Sequence, residues 1–294
     1  MILSPVVNND MRKIKFSLIL STCERTLELE HFLTCLNAQT YHFFELIVVD
    51  QNKDDRLVPI LKYYINSFSI VHLRSEKGVC KGRNVGLAHA GGELVGFPDD
   101  DCWYPSGLLQ RVADEFEHIP FDGLSIRAIN QDGHALFGNR EAVRKAGLMD
   151  AYNIWIRMMT YTLFVRRQIT TVVKGFDEQL GPGAPTLYQA GDETEYALRM
   201  LEAGFQIYYN PEITVYHPDA RNVQSDEAIR KAYFYACGVG KVLRMHRYPL
   251  WYKGNALFRS LGGTLLSALR LNLSKSSFHW NIFKGRWRGL TRND

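Results

Sequence analysis

The sequence predicts an α/β fold: a mixed, mostly parallel sheet with helices on both faces, followed by a helical C-terminal extension. Three observations predict it. Short, nearly all-apolar runs (IKFSLIL at 14–20, ELIVVD at 45–50, ELVGFP at 93–98) alternate with segments whose apolar residues recur at helical spacing. The runs are apolar throughout rather than alternating, which reads as strands buried on both faces. Polar or acidic clusters (STCER, DQN, DDD) stand where these runs stop, and ligands of such sheets bind beyond the carboxyl ends of the strands.

In order, Ile14–Leu20 is the first strand, and Leu29, Phe32, Leu33 and Leu36 mark one face of a helix. Glu45–Asp50 is a second strand rich in β-branched residues, followed by a helix over Arg56–Asn66 and a third strand over Ser69–Leu73. Lys81–Ala90 is helical, with Gly91-Gly92 as its stop. Glu93–Pro98 is the fourth strand, and Pro105 suits the first turn of a helix that turns Leu108, Leu109, Val112 and Phe116 inward. Residues 121–190 are less regular, and the Gly/Pro-rich Lys174–Gly183 reads as a loop. A helix opening at Asp192 carries Ala197, Leu198 and Leu201 inward; two short strands follow, Gln206–Tyr209 and Ile213–His217. An aromatic helix over about 226–247 and an amphipathic segment over about 255–290 complete the chain.

With 46% hydrophobic and 22% charged residues, wholesale disorder is excluded. The net charge of +4 hides an asymmetry: from Arg221 onward there are 14 basic and 3 acidic residues, and before it 21 basic and 28 acidic. An acidic body and a basic tail imply an anionic partner for the tail, membrane lipid or nucleic acid. The five cysteines form no C-x-x-C, which indicates neither a disulfide framework nor a zinc knuckle and suits a reducing cytoplasm. The opening MILSPVVNNDMRK lacks the pattern of a signal peptide, and no run of 18 apolar residues occurs, so no transmembrane helix is expected.

Asp99, Asp100 and Asp101 are three adjacent carboxylates at a strand end, and their mutual repulsion must be offset. A divalent cation such as Mg²⁺ or Mn²⁺ would do so and bridge to a diphosphate; a solvated turn capping the next helix is the other reading. Asp192, Glu193 and Glu195 open a helix after a flexible loop. They read either as ordinary N-terminal helix charge or as a general base beside a substrate loop. His217 is a ligand candidate only if the fold brings it to the aspartates. Arg83-Asn84, among glycines in KGVCKGRNVG, suits a nucleotide or diphosphate, and equally an ordinary helix start.

Taken together and in this order, these segments resemble the inverting glycosyltransferases of family 2, with their GT-A fold, over about residues 14–220. FSLILSTCER resembles the family's opening strand and nucleotide-binding turn, and LNAQTYHFFELIVVDQN its passage into the second strand. KGVCKGRNVGLAHAGGELVGFPDDDCWYP resembles the Arg-Asn helix and metal-binding aspartates. GFDEQLGPG with GDETEYALRMLEAGF resembles the acceptor loop and base helix, and VYH the strand whose histidine completes the metal site. The resemblance implies that Thr22, Glu24 and Arg25 contact the nucleotide, with Asp50 and Gln51 by the base or ribose and Arg83 by the base or diphosphate. It implies Asp99 at the ribose, Asp100 and Asp101 with His217 on Mn²⁺ or Mg²⁺, and Glu193 as catalytic base with Asp192 as the alternative. Two departures stand out: Ser21 and Cys23 replace the usual Pro and aromatic or Asn residues, and Gln51 replaces a second carboxylate that reads uracil.

The implied organisation is a catalytic body over 1–220, with nucleotide-sugar binding in about 14–104 and the acceptor and base part in about 105–220. A basic amphipathic region over 221–294 follows. The implied reaction is single displacement of one sugar from a nucleoside-diphosphate sugar, UDP-linked by preference, onto an acceptor hydroxyl in cell-surface polysaccharide or glycolipid assembly. A metal-dependent nucleotidyltransferase is the rival, disfavoured because STCERT has no glycine; a non-catalytic GT-A-like binding protein is another, disfavoured by the intact acidic groups. Processive synthases of the family carry Gln-x-x-Arg-Trp, whereas Phe283 precedes Arg286-Trp287 here. The tail sets Leu257, Phe258, Leu261, Leu265, Leu266 and Leu269 among basic residues, with Trp280 and Trp287 suited to headgroups. This predicts a helix lying on the anionic inner face of the cell membrane, with a lipid-linked saccharide as acceptor and no nucleic acid as partner. The alternative is a helix packed on the body or on a second copy of the chain.

Overall fold

The structure, a computed structural model, describes residues 14–136, 143–219 and 225–292. The first half alternates as β1 (Phe16–Thr22), α1 (Leu27–Asn37), β2 (Phe44–Asp50), α2 (Val58–Tyr64), β3 (Ser69–Arg74), α3 (Val79–Leu87), β4 (Leu94–Gly96) and α4 (Leu108–His118). It continues with β5 (Gly123–Ile129), β6 (Gly147–Leu148), α5 (Ile154–Arg157), β7 (Leu163–Arg166), α6 (Arg167–Val172), α7 (Asp192–Glu202) and β8 (Ile207–Tyr216). Helices α8 (Asp226–Met245), α9 (Leu250–Leu269) and α10 (Leu273–Thr291) end it.

The eight strands form one sheet in the order β3-β2-β1-β4-β7-β5-β8-β6. β1 pairs in parallel with both β2 and β4, and β5 with β8, while β6 and β7 run against their neighbours. The strand order therefore reverses at β1, which opens a crevice between the carboxyl ends of β1 and β4. Thr22 closes β1, and the three aspartates follow β4 at that point.

Alternation along β1 and β2 explains the all-apolar runs. Leu18, Leu20, Leu46 and Val48 face one core with α1, α2 and α4; Ile19, Ile47 and Val49 face a second core with α7 and α8. Burying polar atoms between these layers requires partners. Gln39 is buried, and its amide donates to the carbonyls of Tyr104 (3.3 Å) and Pro105 (2.8 Å) while accepting from the Leu109 N–H. This fixes the turn that carries the aspartates.

The structure differs from the sequence reading in three places. The irregular middle holds β5, β6 and β7; β5 and β7 are central strands of the sheet. The two short strands expected at 206–217 are one strand, β8, which survives Pro211 because its pairing jumps from Ile126↔Asn210 to Arg127↔Thr214, leaving the proline in a bulge. The amphipathic segment expected over 255–290 is a hairpin, α9 and α10, broken where Leu271 adopts a left-handed φ of 56°.

α10 lies against α8 along a seam of glycines. A Cβ at Gly285 or Gly289 would meet the α8 backbone, at Tyr233 and Cys237, and one at Gly240 would meet α10 at Arg286. α8 in turn presses Gly238 onto the backbone of Ala190, next to the left-handed Gly191 that starts α7.

Candidate active site

The site lies at the crevice beside β1 and β4. Asp99, Asp101 and His217 bring one ligand atom each within 4.8 Å of one another. A tight turn closed by the Cys102 N–H on the Asp99 carbonyl (3.2 Å) brings the Asp99 and Asp101 side chains together. Asp100, expected as a metal ligand, is not among these three. Its Oδ2 accepts from Thr22 Oγ1 (2.6 Å) and its Oδ1 from Arg25 Nη1 (2.7 Å). Asp99, expected at the ribose, is a member of the three-residue cluster.

His217 directly follows β8 and donates from Nδ1 to the Pro218 carbonyl (2.8 Å), which leaves Nε2 facing Asp101 Oδ1 at 3.1 Å. An imidazole so anchored presents its other nitrogen to an ion. Two carboxylate oxygens and one imidazole nitrogen suit Mn²⁺ and also accept Mg²⁺. Burial pushes the Asp101 carboxyl up, but His217 and Arg25 outweigh it and hold it below its ordinary value. The His217 ring responds reciprocally: burial opposes its charge, and Asp101 raises its pKa nonetheless. Asp100 moves the other way, to about 6, because burial outweighs Thr22 and Arg25.

Arg83 joins this cluster to the second acidic group. Its Nη2 donates to Asp99 Oδ1 (3.1 Å) and its Nη1 to Asp192 Oδ2 (2.9 Å), with the guanidinium 5.3 Å from the Phe176 ring centroid. Asn84, one residue on, clamps the loop after α6 through Phe176 N–H (2.7 Å), Phe176 O (3.0 Å) and Glu178 (2.9 Å). Glu195 is spent on a bidentate pair with Arg199 (2.7 and 2.8 Å), whose guanidinium also donates to the carbonyls of Val173 and Gly175.

Among the described residues no cation pairs with Glu193. Its Oε2 accepts from the Thr160 N–H (3.0 Å) and Thr160 Oγ1 (3.1 Å). Burial first, then the charge of Asp192, push its pKa up to about 7. The next residue, Tyr161, stacks on the His217 ring with centroids 4.6 Å apart and planes 15° apart. Thr160 and Tyr161 were not singled out from the sequence. They sit in the stretch without clear periodicity, and only the fold brings them to Glu193 and His217.

At the end of β2, Asp50 is fully buried and bound by His72 (3.0 Å), Arg74 (3.2 Å) and Asn52 (2.9 and 2.8 Å). Gln51 donates from Nε2 to Ser75 Oγ (2.9 Å), Glu76 O (2.6 Å) and Gly78 O (3.0 Å). Two of these partners are carbonyls, so the amide orientation is fixed by chemistry. Glu24 holds a left-handed φ of 64°, its N–H on Asn52 Oδ1 (2.7 Å) and its carboxylate on Lys77 (2.8 Å). Strain of this kind collects at ligand-binding turns.

Residues 17–172, more than half of the chain, match the family described as glycosyl transferase family 2. The chain belongs to that family. A family 2 glycosyltransferase is therefore the setting for both acidic groups. Among relatives, an uncharacterized glycosyltransferase of Bacillus subtilis, YwdF, is 27% identical over 109 residues, covering 37% of this chain and 40% of its own length. The GalNAc(5)-diNAcBac-PP-undecaprenol beta-1,3-glucosyltransferase of Campylobacter jejuni is 29% identical over 119 residues, 36% of this chain and 37% of that one. The matched segments thus span well under half of these relatives. Among solved structures, the mannosyltransferase PcManGT of Pyrobaculum calidifontis, in complex with GDP-Man and Mn²⁺, superposes with a TM-score of 0.67 at 13% identity over 96% of this chain and 88% of that one. S. aureus TarS 1-349 in complex with UDP gives 0.57 at 19% identity, over 94% and 91%. At such identities the likeness establishes the GT-A fold. Among the described residues no helix of this glycosyltransferase is long and apolar enough to cross a membrane.

Proposed function

We propose that this glycosyltransferase moves one sugar from a nucleoside-diphosphate sugar to an acceptor hydroxyl with inversion, dependent on Mn²⁺ or Mg²⁺, with Glu193 as the base. The observation that carries this reading is the division of labour across Thr160-Tyr161. One residue holds a carboxylate with no cation partner, and the next stacks on the histidine of the Asp99–Asp101–His217 cluster. Asp192, the alternative base, is neutralised by Arg83, which favours Glu193.

In this mechanism Thr160 orients Glu193, which takes the acceptor proton as the oxygen attacks the anomeric carbon. The bond from that carbon to the diphosphate breaks, and its electron pair leaves with the phosphate oxygen. A metal ion on Asp99, Asp101 and His217 would supply charge neutralisation for the departing diphosphate. Arg83 keeps Asp99 and Asp192 from repelling one another. Thr22, Glu24 and Arg25 line the nucleotide side with the Asp50–Gln51 end of β2. With its Nε2 committed, Gln51 can offer a base only its Oε1, an acceptor suited to the N3–H of uracil. This supports a UDP-sugar donor. The test is transfer from a panel of nucleotide sugars with Mn²⁺ and with excess chelator, reading product stereochemistry by NMR. Full rate in chelator, or retention at the anomeric carbon, sinks the proposal.

The same reading assigns the acceptor to a lipid-linked saccharide at the cytoplasmic face of an anionic membrane, approached through the C-terminal hairpin. Trp251, Phe258, Leu265 and Leu269 fall on one face of α9 at spacings of seven and four, all strongly exposed. No acidic residue occurs from Leu250 to Arg292, against eight basic ones. Removing the tail would strip α10 from the glycine seam of α8, so surface substitutions are the sound test. Phe258→Ser with Leu269→Ser should weaken co-sedimentation with anionic vesicles by about tenfold. Binding that ignores lipid charge and salt refutes this part.

A further inference from the structure

Between the catalytic body and the C-terminal helices lies a cavity of about 550 Å³. Tyr152 and Trp155 wall it on the body's side, Tyr252 and Arg259 come from α9, and His279 and Arg286 from α10. Among the described residues no carboxylate lines it. Arg286 donates from Nη1 to the Ala256 carbonyl (2.6 Å) and to Ser260 Oγ (3.1 Å), while its Nε is buried with no acceptor among the described residues. Its neighbour in charge is a second cation: burial first, then Arg259, lower the Arg286 pKa. Burying a cation beside another without a counter-ion is costly, and an anion in the cavity would offset that cost. Guanidinium groups match the geometry of phosphate oxygens, and aromatic walls beside them suit an apolar substituent.

We propose that this cavity is a second binding site, separate from the donor crevice, for a phosphate ester with an apolar substituent. Its phosphate is held by Arg259 and Arg286, and its apolar part rests against Tyr152, Trp155 and Tyr252. The assignment stands on the cavity alone and does not depend on the sugar-transfer mechanism. The phosphate could belong to a lipid headgroup or to a soluble ester, and the test separates the two.

Full-length protein in chelator, which weakens diphosphate binding in the donor crevice, is titrated calorimetrically with dihexanoyl phosphatidic acid below its micellar concentration, and separately with phenyl phosphate, a soluble ester with an apolar substituent. The expected result is tighter binding of the short-chain lipid, reduced about tenfold or more in Arg259→Gln. Arg286→Gln should act in the same direction; if it unfolds through loss of its bonds to Ala256 and Ser260, Arg259→Gln decides. Phenyl phosphate binding as tightly as the lipid, with both lost in Arg259→Gln, upholds the site and assigns it to a soluble ester. No binding of either ligand, or binding unchanged in the folded arginine variants, overturns it.

Discussion

Two acidic triplets meet at this site and are treated differently. In Asp99-Asp100-Asp101 each carboxylate touches an arginine: Arg83 on the first, Arg25 on the other two. In Asp192, Glu193 and Glu195, arginines take the outer two, Arg83 and Arg199, and leave the middle one to Thr160. A carboxylate held by a guanidinium is a poor proton acceptor, whereas one held by an N–H and a hydroxyl in a partly buried place stays basic. The first triplet is thus paired with arginines throughout, whereas the second leaves one carboxylate to neutral donors.

The comparison breaks most visibly at Asp101. Asp101→Ala should cut transfer by about 10³-fold and abolish stimulation by Mn²⁺, with a smaller loss for Asp100→Ala; the reverse order, read in steady-state rates, would return Asp100 to the metal. Next, Glu193→Gln should lower kcat by about 10²-fold or more while donor binding by calorimetry is kept. If Asp192→Asn is the crippled variant and Glu193→Gln is not, the base is misassigned by one residue. A finer probe is pH. Because Glu193 must be ionised to act and its pKa is raised to about 7, transfer should rise as pH climbs through that value. Asp192 is among the causes of the shift, so Asp192→Asn should move this acid limb to lower pH; a wild-type limb near 4.5 contradicts the arrangement.

The smallest expected effect on rate is at Glu195. Its carboxyl is held below the ordinary value, burial being outweighed by His246 and Arg199. Its pair therefore stabilises the fold above that ordinary value and is lost as pH falls through the depressed one. Glu195→Gln should cost about 1–3 kcal/mol in urea unfolding with little change in kcat. A catalytic defect without loss of stability would show that all three residues of the second triplet act in chemistry.

The parts legible in the sequence were those written in local patterns. β1 and β2 announced themselves because both faces are buried, so every position is apolar, and the acidic groups stood out because like charges side by side need a cause. β5 was hidden because GLSIRAI mixes Ser125 and Arg127 into the run, and β7 because LFVR is four residues long. Proline 211 concealed the continuity of β8, since the bulge that accommodates it depends on the neighbouring strand. The direction of Asp100 and the anchoring of Glu193 by Thr160 were beyond reach for the same reason: both are set by partners 78 and 33 residues away.

The glycine seam has a mechanical consequence. At its glycines α10 meets the α8 backbone, and at Gly238 α8 meets the backbone of Ala190. A one-turn slip of α10 toward its C-terminus would put Asn281 where Gly285 now meets the α8 backbone, so the glycines hold the α8–α10 pair in one register. Its far side carries Trp280 and Trp287; its near end abuts the residue pair that precedes Asp192 and Glu193. A single methyl at Gly289 would meet the Cys237 carbonyl and push α10 away from α8.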